Sequence, residues 1–154
     1  MGGVIVVTIA FINIIVGSAV VYDIFTGKVP NRLMLMAYLL APLFLSISYG
    51  IGTVPMHMLI AFAIGVMLFI FYLIRAIGAG DVKLMSFVCL FLSFRNAFRF
   101  IYIVLIAGAF LGLLKMVVAY VGQRNAVSEG KMSNKIKFTI PIAIGYVLVM
   151  TTIV

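Results

Sequence analysis

Six apolar runs divide this chain almost end to end: residues 4–22, 33–49, 56–74, 81–94, 100–121 and 138–154. A helix needs about 20 apolar residues to cross a bilayer, and most of these runs approach that length. Strands of a membrane barrel would alternate apolar and polar residues, and these runs do not. Hydrophobic residues make up 66% of the chain and charged ones 9%, more apolar surface than a water-soluble domain can hide. The pattern predicts an all-α, polytopic integral membrane bundle of about six transmembrane helices, with residues 1–154 forming a single membrane-embedded domain. The run at 81–94 is short, and Arg95 and Arg99 interrupt its junction with the next run, where they would mark a tight turn. Residues 1–22 lack a basic start and a small-residue cleavage site before Asp23, so they read as a retained span rather than a signal peptide.

The net charge of +8 is spread between the apolar runs rather than gathered on a soluble face. That distribution argues against nucleic acid as a partner and for membrane topology. Lys28 and Arg32 follow the first run. Arg75 and Lys83 bound the loop after the third, and Arg124, Lys131, Lys135 and Lys137 follow the fifth, whereas residues 50–55 carry no charge. Basic loops stay in the cytoplasm. The first, third and fifth loops are therefore expected there, with both termini outside. Arg95 and Arg99 then fall on the outer side, against the rule.

Only three acids occur: Asp23, Asp81 and Glu129. Glu129 sits in a polar loop, but Asp23 closes the first run and Asp81 opens the fourth. Carboxylates near lipid are costly and usually pair or work. The span count brings these two, 58 positions apart, to one membrane face. The single cysteine, Cys89, and single histidine, His57, leave no disulfide framework, no multi-histidine site and no cysteine-rich zinc site. A carboxylate pair hydrolyses amides by sharing one proton: one member draws a proton from water while the other polarises the carbonyl. Helix dipoles favour the charge on Asp81, at a helix start, over Asp23, at a helix end. Taken singly, Asp23 reads as an interfacial residue and Asp81 as a helix N-cap. Gly78-Ala79-Gly80 before Asp81 allows a tight turn and close approach of another chain. It is not a dinucleotide fingerprint, because Lys83 stands where the third glycine belongs.

The stretch Gly78-Ala79-Gly80-Asp81-Val82-Lys83-Leu84 resembles the Gly-x-Gly-Asp signature of the type IV prepilin peptidases, a family of membrane aspartic proteases. Asp23 through Pro30-Asn31 is similar to that family's first motif, and Ile140-Pro141-Ile142-Ala143-Ile144-Gly145 to its last-helix motif. The resemblance implies Asp23 and Asp81 as the catalytic pair, with no metal or cofactor, and a pilin-like precursor as substrate. It implies removal of a basic leader at the cytoplasmic face of the cell membrane. Two-domain members of the family add a cysteine-rich insert and N-methylate the new terminus; this chain has no such insert, so cleavage without methylation is expected. The small size is similar to that of single-domain members serving Flp-type pili or archaeal preflagellins.

Other residues have plainer readings. Pro30 suits a first helical turn and Asn31 a cap. Lys83 reads as a snorkelling interfacial cation, or else as a partner of the dyad or of an acid on the substrate. His57 reads as an uninvolved interfacial residue. Lys115, inside the fifth run, reads as a snorkelling cation or as a polar group facing the bundle, and residues 123–137 read as a mobile cytoplasmic connector or as a loop that gates the site or contacts the substrate. The rival functions are a small proton-coupled transporter using the same acids as relays, and a non-catalytic assembly subunit. Transport needs a polar path across the membrane, which these runs do not supply.

Overall fold

The structure is a computed structural model, and it describes residues 2–74, 77–123 and 139–153. The described residues form six α-helices: α1 (Gly2–Thr26), α2 (Asn31–Tyr49), α3 (Val54–Leu73), α4 (Ala79–Cys89), α5 (Phe94–Gln123) and α6 (Thr139–Ile153). A single 3₁₀ turn, Ile51–Thr53, joins α2 to α3. Four stretches are long and apolar enough to cross a membrane: Val6–Thr26, Asn31–Tyr49, Ile51–Leu73 and Phe94–Leu114. A shorter apolar helix covers Thr139–Thr151. The polar loop expected at 123–137 lies outside the described residues, apart from Gln123 at the end of α5, as does the side chain of Lys115.

The run at 81–94 folds differently from a simple crossing. α4 has 11 residues, about 16 Å of helix, roughly half the apolar thickness of a bilayer. It is the bundle's central element. Leu84, Met85, Phe87, Val88 and Cys89 are all fully buried, packed among α1, α2, α3, α5 and α6. Phe87 and Phe91 meet Phe11 of α1 edge to face, and Phe11 stacks on Phe44 of α2 at 4.1 Å.

A helix that stops inside a membrane leaves carbonyls that water cannot reach, and such an end is tolerated only where protein supplies the missing partners. Neighbouring side chains supply two here. His57 at the start of α3 donates through Nδ1 to the Leu90 carbonyl at 2.8 Å. Tyr49 at the end of α2 donates its hydroxyl to the Phe91 carbonyl at 3.1 Å, and the two rings stack at 4.9 Å. Tightened bonds from Leu90 N–H to the Phe87 carbonyl and from Phe91 N–H to the Val88 carbonyl close the turn. His57 is therefore a structural cap for α4 and not an idle interfacial residue. The turn itself falls at 90–93. Arg95 and Arg99 lie inside the first turns of α5 rather than marking it.

The remaining helices close around this core. Ser86 donates to the Ala61 carbonyl at 2.7 Å, setting α4 antiparallel to α3. Gly145 lets α6 settle on α5, since a Cβ there would stand 2.6 Å from Val104 Cγ2. This glycine of the last-helix motif thus serves helix packing, as small residues do in membranes.

Candidate active site

Four chain segments converge at one end of the bundle. α1 ends at Thr26, and Gly27 follows with φ 68. There its N–H closes on the Asp23 carbonyl at 2.9 Å. A side chain would strain that left-handed conformation, so glycine ends the helix and turns the chain toward α2. Thr26 steadies the turn, with its hydroxyl 2.7 Å from the Tyr22 carbonyl and 3.0 Å from that of Lys28. Asp23 sits in the last turn of α1 and is 7% exposed.

Pro30, at φ −65 and ψ 130, is the N-cap of α2, and Asn31 is its first residue. The expected arrangement is displaced by one position, and Asn31 does not cap. Its side-chain carbonyl instead accepts from Lys83 Nζ at 3.0 Å, tying the start of α2 to α4. Lys83 therefore neither stands free at the interface nor pairs with the dyad.

The start of α4 is displaced further, by three positions. Its N-cap is Gly78, with Asp81 three positions inside the helix. The Gly78 carbonyl accepts from the N–H groups of both Asp81 and Val82 at 3.1 Å. The Asp81 side chain reaches back over Gly78. Each motif glycine has its own reason. A Cβ on Gly78 would lie 2.8 Å from Asp81 Oδ2. A Cβ on Gly80 would lie 3.1 Å from Val29 Cβ, in the turn between α1 and α2. One glycine makes room for the carboxylate and the other for the loop that follows Asp23.

Asp81 is half-buried. Its Oδ1 accepts from the Thr139 hydroxyl at 3.2 Å, which brings the first residue of α6 into the site. Asp23 Oδ2 is buried without a hydrogen-bond partner. Thr139 was not singled out in the sequence reading. Its only signal was its place at the head of the last apolar run, directly before Ile140-Pro141. Among the described residues no group of three or more histidines, cysteines or acids is placed to hold a metal.

Of the two acids at this end of the bundle, Asp81 is thus hydrogen-bonded to Thr139 and Asp23 Oδ2 is without a partner. The sequence model of the type IV leader peptidase family matches residues 8–114. That span contains Asp23, Pro30-Asn31 and the Gly78–Asp81 stretch, whereas Thr139 and the Ile140–Gly145 motif lie beyond it. No curated protein and no solved structure matches the chain.

Proposed function

We propose that this chain, which belongs to the type IV leader peptidase family, removes the basic leader of a pilin-like precursor by direct attack of water between Asp23 and Asp81. Family membership makes it an aspartic endopeptidase of the membrane. The observation supporting the two residues is their meeting at one end of the bundle, each held there by a motif that the other motif touches. Val29 packs on Gly80, and Asn31 accepts from Lys83. Asp23 and Asp81 are the catalytic pair in this reading. Gly78 and Gly80 give the carboxylate and the loop their room, while Pro30, Asn31 and Lys83 lock the two loops together.

The chemistry follows from the donors. Asp81 accepts from the Thr139 hydroxyl, and Asp23 Oδ2 is buried without a donor. Asp23 also stands at the end of α1, where the helix dipole opposes negative charge. One of the two carboxylates takes a proton from water as the oxygen attacks the scissile carbonyl, and the other, protonated, gives its proton to the carbonyl oxygen. A tetrahedral diol results. The first carboxyl then returns its proton to the amide nitrogen while the second reclaims one from a diol hydroxyl; the C–N bond breaks, releasing the leader as an acid and the mature protein as an amine.

Charge bias in the loops supports placing this end of the bundle in the cytoplasm, with the substrate's apolar helix in the membrane. The chain carries one cysteine, Cys89, buried in α4. It lacks the cysteine-rich insert of the methylating members, so the new N-terminus is left unmodified. Co-expression with a candidate precursor, followed by mass analysis of the mature protein, tests this reading. The expected product is a leader-free, unmethylated terminus. An uncut precursor or a methylated terminus contradicts it.

A further inference from the structure

A groove of about 800 Å³ runs between α2, α3 and α4. Lys83, Ser86 and Leu90 of α4 form its floor. Residues two apart on a helix point about 200° from each other, so this floor lies on the side of α4 away from Asp81. The packing of Val29 on Gly80 and the Asn31–Lys83 bond stand between the groove and the dyad. The groove is therefore a separate feature that shares only the dyad's end of the bundle.

Its lining is strongly divided. Along α3 from Met58 to Phe69, about 16 Å, the walls are apolar, and Leu35, Phe62 and Val66 on the rims are more than half exposed on the surface that faces lipid. Asn31, Arg32 and Lys83 gather at the end nearest the dyad. Asp23 and Asp81 are the only acids among the described residues, and Asp81 is engaged by Thr139. Two cations thus sit at the mouth of an apolar trough with no carboxylate facing them.

We infer that this groove binds an anionic phospholipid, its phosphodiester on Lys83, Arg32 and the Asn31 amide and an acyl chain lying along α4 between α2 and α3. Basic pockets between membrane helices take such headgroups, and the cation–apolar division of the trough complements an amphiphile with one charged end. A peptide is the poorer fit. To reach the trough from the dyad it would have to cross the Val29–Gly80 contact. A bound lipid bridges α2 and α4 where the Asn31–Lys83 bond already joins them.

The test uses the full chain in detergent, supplied with mixed micelles of phosphatidylglycerol or phosphatidylcholine. Retained lipid is counted by native mass spectrometry, and thermal unfolding is followed in parallel. Phosphatidylglycerol is expected to be retained and to raise Tm, and phosphatidylcholine not. Lys83→Gln, which keeps a donor for Asn31, and Arg32→Gln should each weaken retention roughly fivefold. Val66→Trp and Phe62→Trp fill the trough from its exposed rim and should weaken retention with both cations intact. Equal retention of the two lipids overturns the inference. So does unchanged retention in both trough-filling variants, because the cations would then act as a diffuse surface charge. If those variants instead raise KM for precursor cleavage while retaining phosphatidylglycerol, the trough belongs to the substrate. The retention outcomes do not depend on whether Asp23 and Asp81 are catalytic, since lipid retention is read without cleavage.

Discussion

Gly78→Ala isolates the positioning of one carboxylate from everything else at the site. Gly78 has φ −75 and ψ 150, a conformation alanine adopts freely, so the backbone contributes no strain. The new Cβ meets Asp81 Oδ2 at 2.8 Å, against the 3.4 Å at which ordinary contact begins. The carboxylate must withdraw by about 0.6 Å. A misplacement of about 1 Å in a catalytic array costs on the order of a hundredfold, so kcat should fall between about tenfold and a hundredfold, with KM little changed. The fold should lose no more than about 1–3 kcal/mol from overpacking. Precursor cleavage by purified full-length protein gives kcat and KM, and thermal unfolding reports the fold. In an Asp81→Asn background, Gly78→Ala should add no further loss. If Gly78→Ala keeps kcat within threefold of the parent, the carboxylate does not work from the position seen here, and the reasoning fails.

Thr139→Val removes a hydrogen bond to a charged group worth about 1.5–3 kcal/mol; kcat should fall about tenfold or more, and Thr139→Ser should restore it, as steady-state cleavage will show. A double-mutant cycle on Asn31→Ala and Lys83→Met should give a coupling of about 0.5–1 kcal/mol in unfolding free energy, the modest value of an exposed polar pair. His57→Phe keeps a ring against Tyr49 but orphans the buried Leu90 carbonyl; stability should fall by about 1–3 kcal/mol with cleavage otherwise intact. Tyr146→Phe removes a buried hydroxyl that has no hydrogen-bond partner, and unfolding should show stability unchanged or raised by about 1 kcal/mol.

The sequence was most readable where lipid imposes a single rule. Long apolar runs predicted the long helices, and the rarity of acids pointed to Asp23 and Asp81. Residues 81–94 were harder. Their hydropathy matches a crossing, but hydropathy does not register that α4 is surrounded by protein and ends inside it. Only the structure shows the carbonyls of Leu90 and Phe91 that need His57 and Tyr49. The motif residues were found but misplaced by a few positions. Capping preference assigns Asp81 and Asn31 to helix starts, and it does not anticipate Gly78 and Pro30 in those places, with the polar side chains turned to other partners. Thr139 carried no local signal, because its significance comes from α6 meeting α4.

The account turns on Asp23 and Asp81 working as one unit. Single-turnover cleavage by Asp23→Asn, Asp81→Asn and the double variant measures this most directly. General acid–base catalysis contributes about 10²–10⁴-fold, and groups acting together are grossly non-additive when removed. Each single variant should lose at least about a hundredfold, and the double variant should be no slower than the worse single. Near-normal cleavage by either single variant, or losses that multiply in the double, would show that the two acids do not share one reaction.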